Sequence, residues 1–163
     1  MSRVPAVGVD EPQRRRQPRR QPRRQPRRRL PHLPLPGTTF VAGQSPRPPE
    51  GWYAAADRAE WFDYGCDLFD AGCFFEAHEL WEQVWLAARA VGNSDDASFV
   101  QGLIRLAASG VKWLAHKPES QRSHCMAARG LLTSSPPRRG LSSSSIAAAI
   151  EALENDQAPG LTP

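Results

Sequence analysis

From Trp52 onward, apolar residues recur at three- and four-residue steps, the repeat of one helix face. Ala55, Ala59, Phe62, Cys66 and Phe69 share such a face, so a first helix is expected over residues 54–71. The short break Ala71-Gly72-Cys73 then suits an antiparallel helix pair. A second helix is expected from Phe74 to Arg89, stopping near Gly92. A third should run from Ser98 to about His116, with Ser94, Asp95 and Asp96 as candidate N-caps and Pro118 ending it. Its stripe is Phe99, Leu103, Leu106, Ala107, Val111 and Leu114, while Gly102, Ser109 and Gly110 are small enough to permit a close crossing. Beyond Pro118 the pattern weakens to a helix from Glu119 to Leu132 and a loop from Ser134 to Arg139. Ser142 to Ser145 supply caps for a last helix through Ile146, Ile150 and Leu153. Strands of alternating character are missing, so the expected fold class is all-α, a bundle of about five helices.

Charge and composition divide the chain. Twelve of its 21 basic residues stand in the first 50 positions beside Asp10, Glu11 and Glu50, a net of +9; the other 113 residues net −5. The basic pI therefore belongs to the first part, and a basic folded domain is excluded. Eleven of the 16 prolines also lie there, with Phe40 as the sole aromatic residue, whereas the other twelve aromatics fall between Trp52 and Trp113. Such a proline-rich, aromatic-poor stretch buries too little apolar surface to offset its ordering entropy. The expected organisation is a disordered tail over 1–50, a helical domain over 51–156 and a flexible end over 157–163.

Within the tail, Gln-Pro-Arg-Arg occurs three times in tandem between Gln17 and Arg28. Proline at every fourth position excludes a regular helix and predicts an extended, solvated segment. The clustered arginines Arg14 to Arg29 suit an arm for nucleic acid or another polyanion, since they release counterions from phosphate; the alternative is a repeat with no selected role. Cys66, Cys73 and Cys125 match no zinc or redox spacing and are expected to be buried, reduced thiols. With no signal core and no apolar run long enough for a bilayer, a cytoplasmic location is expected. Trp61, Trp81, Trp85 and Trp113 are expected in the core or at an interface, which leaves a homo-oligomer open.

The segment from Phe74 to Trp85 holds the candidate chemistry. Phe74, Ala77, Leu80, Trp81, Val84 and Trp85 cover one broad apolar face, with His78 at its edge. Glu76 and Gln83 are expected to point to solvent, and Glu82 to be a carboxylate set within an apolar border. A desolvated carboxylate must be paired, bind a metal or take up a proton. His78 and Glu82, four apart, reach the same point beside the helix, and H-E-L-W-E is a variant of the H-E-x-x-H zinc motif. His78 and Glu82 would hold a divalent metal such as zinc, with Glu79 as general base. Gln101, His116 and His124 are the nearby candidates for a third ligand. The competing reading is a structural network in which His78 and Glu82 bond to each other and to Gln101 or Arg105. His32, in the tail, has no evident partner.

The stretch from Phe69 to Trp85, followed by Phe99-Val100-Gln101-Gly102-Leu103-Ile104-Arg105, resembles the domain-of-unknown-function family 309 over roughly residues 57–133. The resemblance implies a compact bundle of about five helices and no settled activity beyond the label of predicted metal-dependent hydrolase. By position, the motif residues are Glu76, His78, Glu79, Glu82, Trp85, Gln101 and Gly102, which gives Glu79 and Gln101 as candidate catalytic residues. Arg105 departs from the family's usual glutamine and is expected to form a salt bridge with Glu82. Lys117 to Arg122 departs from a glycine-asparagine turn, which leaves the fourth helix less firmly expected. Two functions stay open: a metal-dependent hydrolase, or a non-enzymatic binding bundle whose tail adds electrostatic contact.

Overall fold

The structure, a computed structural model, describes residues 27–162. The described residues form five helices and no strand: α1 (Trp61–Asp70), α2 (Phe74–Ala90), α3 (Ser94–Leu114), α4 (Pro118–Thr133) and α5 (Ser143–Glu154). The expected all-α fold is what is found. Helix α3 is the central element, packed against α2 on one side and α4 on the other; α1 lies on α2, and α5 lies on α4 and α3.

The core follows the apolar stripes. Phe74, Ala77, Leu80, Trp81 and Val84 of α2 are buried, as are Phe99, Leu103, Leu106 and Ala107 of α3. Burying such side chains contributes roughly 1.5–3 kcal/mol each against leaving them in water. The small residues of α3 do allow close crossings. A Cβ on Gly102 would fall 2.6 Å from Leu132 of α4, and one on Gly110 would fall 2.5 Å from the Phe74 ring of α2. Gly65 of α1 plays the same part against α2, for a Cβ there would stand 2.3 Å from Nε1 of Trp81. That indole is fully buried and donates its N–H to the Phe62 carbonyl, 3.2 Å away.

Helix ends depart from expectation at two places. Helix α1 begins at Trp61 and not near residue 54, because residues 49–60 form successive tight turns. These turns let Trp52, Tyr53 and Trp61 pack edge to face, at 5.4 Å for the first pair and 5.6 Å for the second. Helix α3 starts at Ser94, and its N-cap is Asn93, which accepts from the backbone N–H of Asp96. Asp95 and Asp96 pair instead with Arg138 and Arg139. Helix α4 forms in full despite its unusual sequence. Proline in its first turn suits the start of a helix, and the Gln121 carbonyl accepts from Ser109 Oγ at 3.0 Å. Ser142 caps α5 by accepting from the Ser145 N–H.

The largest departure lies before residue 50. The described part of the expected tail packs on the bundle as a strap over α1 and α2. Leu33 and Val41 are buried, and Leu30 and Leu35 rest on the core. Two carboxylates hold the strap. Asp67 of α1, 3% exposed, accepts the backbone N–H of Arg29 at 2.7 Å and of Leu30 at 2.8 Å. Glu76 of α2 accepts from the Thr39 hydroxyl at 2.6 Å and from the Phe40 N–H at 2.8 Å. Arg28 and Arg29, expected to belong to a solvated arm, are turned onto Asp67 and Asp63. His32, expected to lack a partner, lies 3.0 Å from Glu60. Residues 14–26 of the expected arm lie outside the described residues. At the other end Leu161 is buried and its N–H bonds to Asp70, so the expected flexible end is also partly packed.

Candidate metal centre

Helix α2 turns two faces to different surroundings. Its inner face enters the core, and its outer edge carries His78, Glu79 and Glu82, all half-buried. The imidazole lies between the two carboxylates: Nδ1 is 3.9 Å from Oε1 of Glu79, and Nε2 is 3.9 Å from Oε1 of Glu82. One ligand atom from each of the three lies within 4.8 Å of the other two. The sequence spacing of four residues thus does bring His78 and Glu82 to one point beside the helix.

The hydrogen-bond network expected as the alternative is not formed among the described residues. At 3.9 Å the His78 contacts exceed hydrogen-bond length. Nδ1 of His78 is buried and has no partner. Arg105 makes no salt bridge with Glu82; it lies exposed, one turn beyond Gln101 on α3. Glu82 is not enclosed by an apolar border either, since its side chain is 45% exposed.

The buried carboxylate of this motif is Glu76, expected to face solvent and found wholly buried. Its position was readable in part: on a helix it lies about 40° from Leu80, which is buried. Its partners Thr39 and Phe40 sit in the stretch that composition marked as tail, so nothing on α2 itself pointed to them.

A cleft of about 220 Å³ opens beside the cluster. His78, Glu82 and Trp85 of α2 form one wall; Gln101 and Arg105 of α3, with His124 of α4, form another. Of the third-ligand candidates, the fold brings Gln101 and His124 to this cleft. His116 is not among its lining residues; it follows the C-terminus of α3 with φ of 54°. Burial pushes the pKa of His124 down, and the charges of Arg105, Lys112 and His78 push it the same way. Arg89, one turn beyond Trp85, lies over that indole at 4.9 Å.

The donor geometry fits a divalent cation. Two ligands each about 2.1 Å from a metal stand at most about 4.2 Å apart. The 3.9 Å from Nε2 of His78 to Glu82 is within that limit, whereas the equal distance from Glu79 is to the opposite ring nitrogen, Nδ1, so one ion does not share both contacts. One imidazole nitrogen with carboxylate oxygens suits zinc or manganese over softer, thiolate-seeking ions. The three cysteines take no part. All are buried and free, and burial pushes Cys66 up and Cys73 up to about 12, so neither is a thiolate near neutral pH.

An all-α bundle presenting a His/Glu/Glu cluster at the mouth of a cleft is the class that fold and site define. Residues 62–123 match the family model described as domain of unknown function (DUF309). That segment, from α1 into α4, is similar to this family, in agreement with the motifs. No curated protein and no solved structure matches the chain.

Proposed function

We propose that the protein is a metal-dependent hydrolase whose divalent cation is held by Nε2 of His78 and a carboxylate oxygen of Glu82. The observation that carries this reading is that three ligand atoms lie within 4.8 Å of one another, with no hydrogen bond engaging any of them among the described residues. A cation there would polarise a water molecule and the group to be cleaved. Glu79, on the same edge, takes the proton as general base, and Gln101 on the opposite wall orients the reacting group through its amide. The apolar faces of Trp85 and Ile104 limit water around them.

Elemental analysis by mass spectrometry of the full chain, purified without tag-derived metal, tests the cation directly. Near-stoichiometric metal in the parent, lost in both His78→Ala and Glu82→Ala, is the expected result. A metal-free parent that also binds no added zinc or manganese would overturn it. Glu79→Gln separates base from ligand: it should retain the metal and lose turnover on generic ester or phosphoester substrates. Metal lost along with turnover would place Glu79 among the ligands.

A further inference from the structure

Glu79 and Glu82 bring two negative charges, which a divalent cation would cancel. Arg105 lines the facing wall, and Lys112 lies close enough on α3 to act electrostatically on His124. Among the described residues neither cation has a carboxylate within ion-pair distance. Of the other basic side chains, Arg28, Arg29, Arg129, Arg138 and Arg139 each meet an acid, while Arg27, Lys117 and Arg122 have none within ion-pair distance among the described residues. Arg47, Arg58 and Arg89 lie over aromatic rings. A loaded cluster would therefore leave Arg105 uncompensated at the cleft, with Lys112 two turns further along α3.

We infer that the cleft accepts a phosphoryl group, and that the substrate is a small phosphate-bearing molecule whose dianionic oxygens lie between the cation site at His78/Glu82 and the guanidinium of Arg105. This inference rests on the cation reading above. The planar guanidinium fork of Arg105 matches two phosphate oxygens. His124 also lines the cleft and offers a ring N–H donor. At about 220 Å³ the cleft has room for the phosphoryl group and a small organic portion against Trp85 and Ile104. Because each ligand neutralises charge left by the other, cation and phosphoryl group must strengthen each other's binding reciprocally.

Calorimetric titration of phenylphosphonate into the full chain, with and without saturating Mn²⁺, tests the pairing. Binding is expected to be tighter with Mn²⁺ and to weaken by about tenfold or more in Arg105→Gln. Lys112→Gln should act in the same direction, and neither change should weaken Mn²⁺ binding. Arg105 is exposed, so its replacement should leave the melting temperature unchanged. Equal phosphonate affinity in parent and both variants, with Mn²⁺ bound in all, would overturn the phosphoryl site and leave the cation. Benzoate binding as tightly as phenylphosphonate would overturn the dianion preference. Phosphonate binding that needs Arg105 but not Mn²⁺ would overturn the cation and keep the phosphoryl site. Absence of binding by either probe would overturn both.

Discussion

Glu76 and Glu82 stand on one helix and in one motif, yet their surroundings are opposite. Glu76 is wholly buried, and both of its oxygens are occupied by fixed donors from the strap. Glu82 is half-exposed, with the His78 imidazole 3.9 Å away. A carboxylate saturated by preset donors is architecture; one left with a loose neighbour beside a cleft is available for a ligand. Motif membership alone does not tell the two apart, because the partners of Glu76 come from 36 and 37 residues away.

Replacement of Glu76 is the strongest way to break that contrast. Glu76→Ala leaves a part-buried hydroxyl and a part-buried N–H without an acceptor and should cost about 2 to 3 kcal/mol in urea denaturation. It should also expose residues 27–49 to proteolysis; a loss below about 1 kcal/mol would mean that the strap does not depend on this anchor. Gly65→Ala probes the other inward feature of α2. Its new methyl meets the Trp81 indole, which has no room to retreat, and a cost of about 2 kcal/mol is expected.

Asp96 sharpens the comparison as an intermediate case, a nearly buried carboxylate satisfied by an arginine. Its hydrogen bond to Arg139 holds it below the usual carboxylate range, although burial alone would raise it. A depressed carboxylate stabilises the fold above its ordinary pKa, and that contribution is lost as pH falls through the lowered value. Arg139→Ala should therefore lower the melting temperature at pH 7 and reduce its fall between about pH 5 and 3. An unchanged acid limb would show that the pair contributes nothing. The smallest stability effect belongs to Glu82→Ala, within about 0.5 kcal/mol, because its side chain is 45% exposed and makes no hydrogen bond among the described residues. A loss comparable to that of Glu76→Ala would show that the outer edge is architecture as well.

The helices were legible because their stripes are continuous and their interruptions chemically plain. Gly72, Gly92 and Pro118 mark three of the four helix junctions within a few residues. The His78/Glu82 pairing was legible for the same reason: four-residue spacing on a helix dictates proximity. Long-range placement was not. Composition took residues 27–49 for tail because they hold a single aromatic, yet Leu30, Leu33 and Leu35 are enough to dock a segment whose backbone is fixed by two buried carboxylates. The Arg105–Glu82 bridge failed similarly, since helix facing places both at one cleft without setting the distance between their tips.

Arg29 and Leu161 donate their backbone N–H groups to Asp67 and Asp70, residues one helical turn apart on α1. Two points 132 positions apart in the chain are thereby pinned to the same turn. The topology is close to a ring. A short peptide joining residue 162 to residue 27 would make it one, and new termini opened at the exposed Pro136-Pro137 pair would give a circular permutant. Such a molecule should keep every helix and the cleft intact while carrying both ends on the side of α4 and α5.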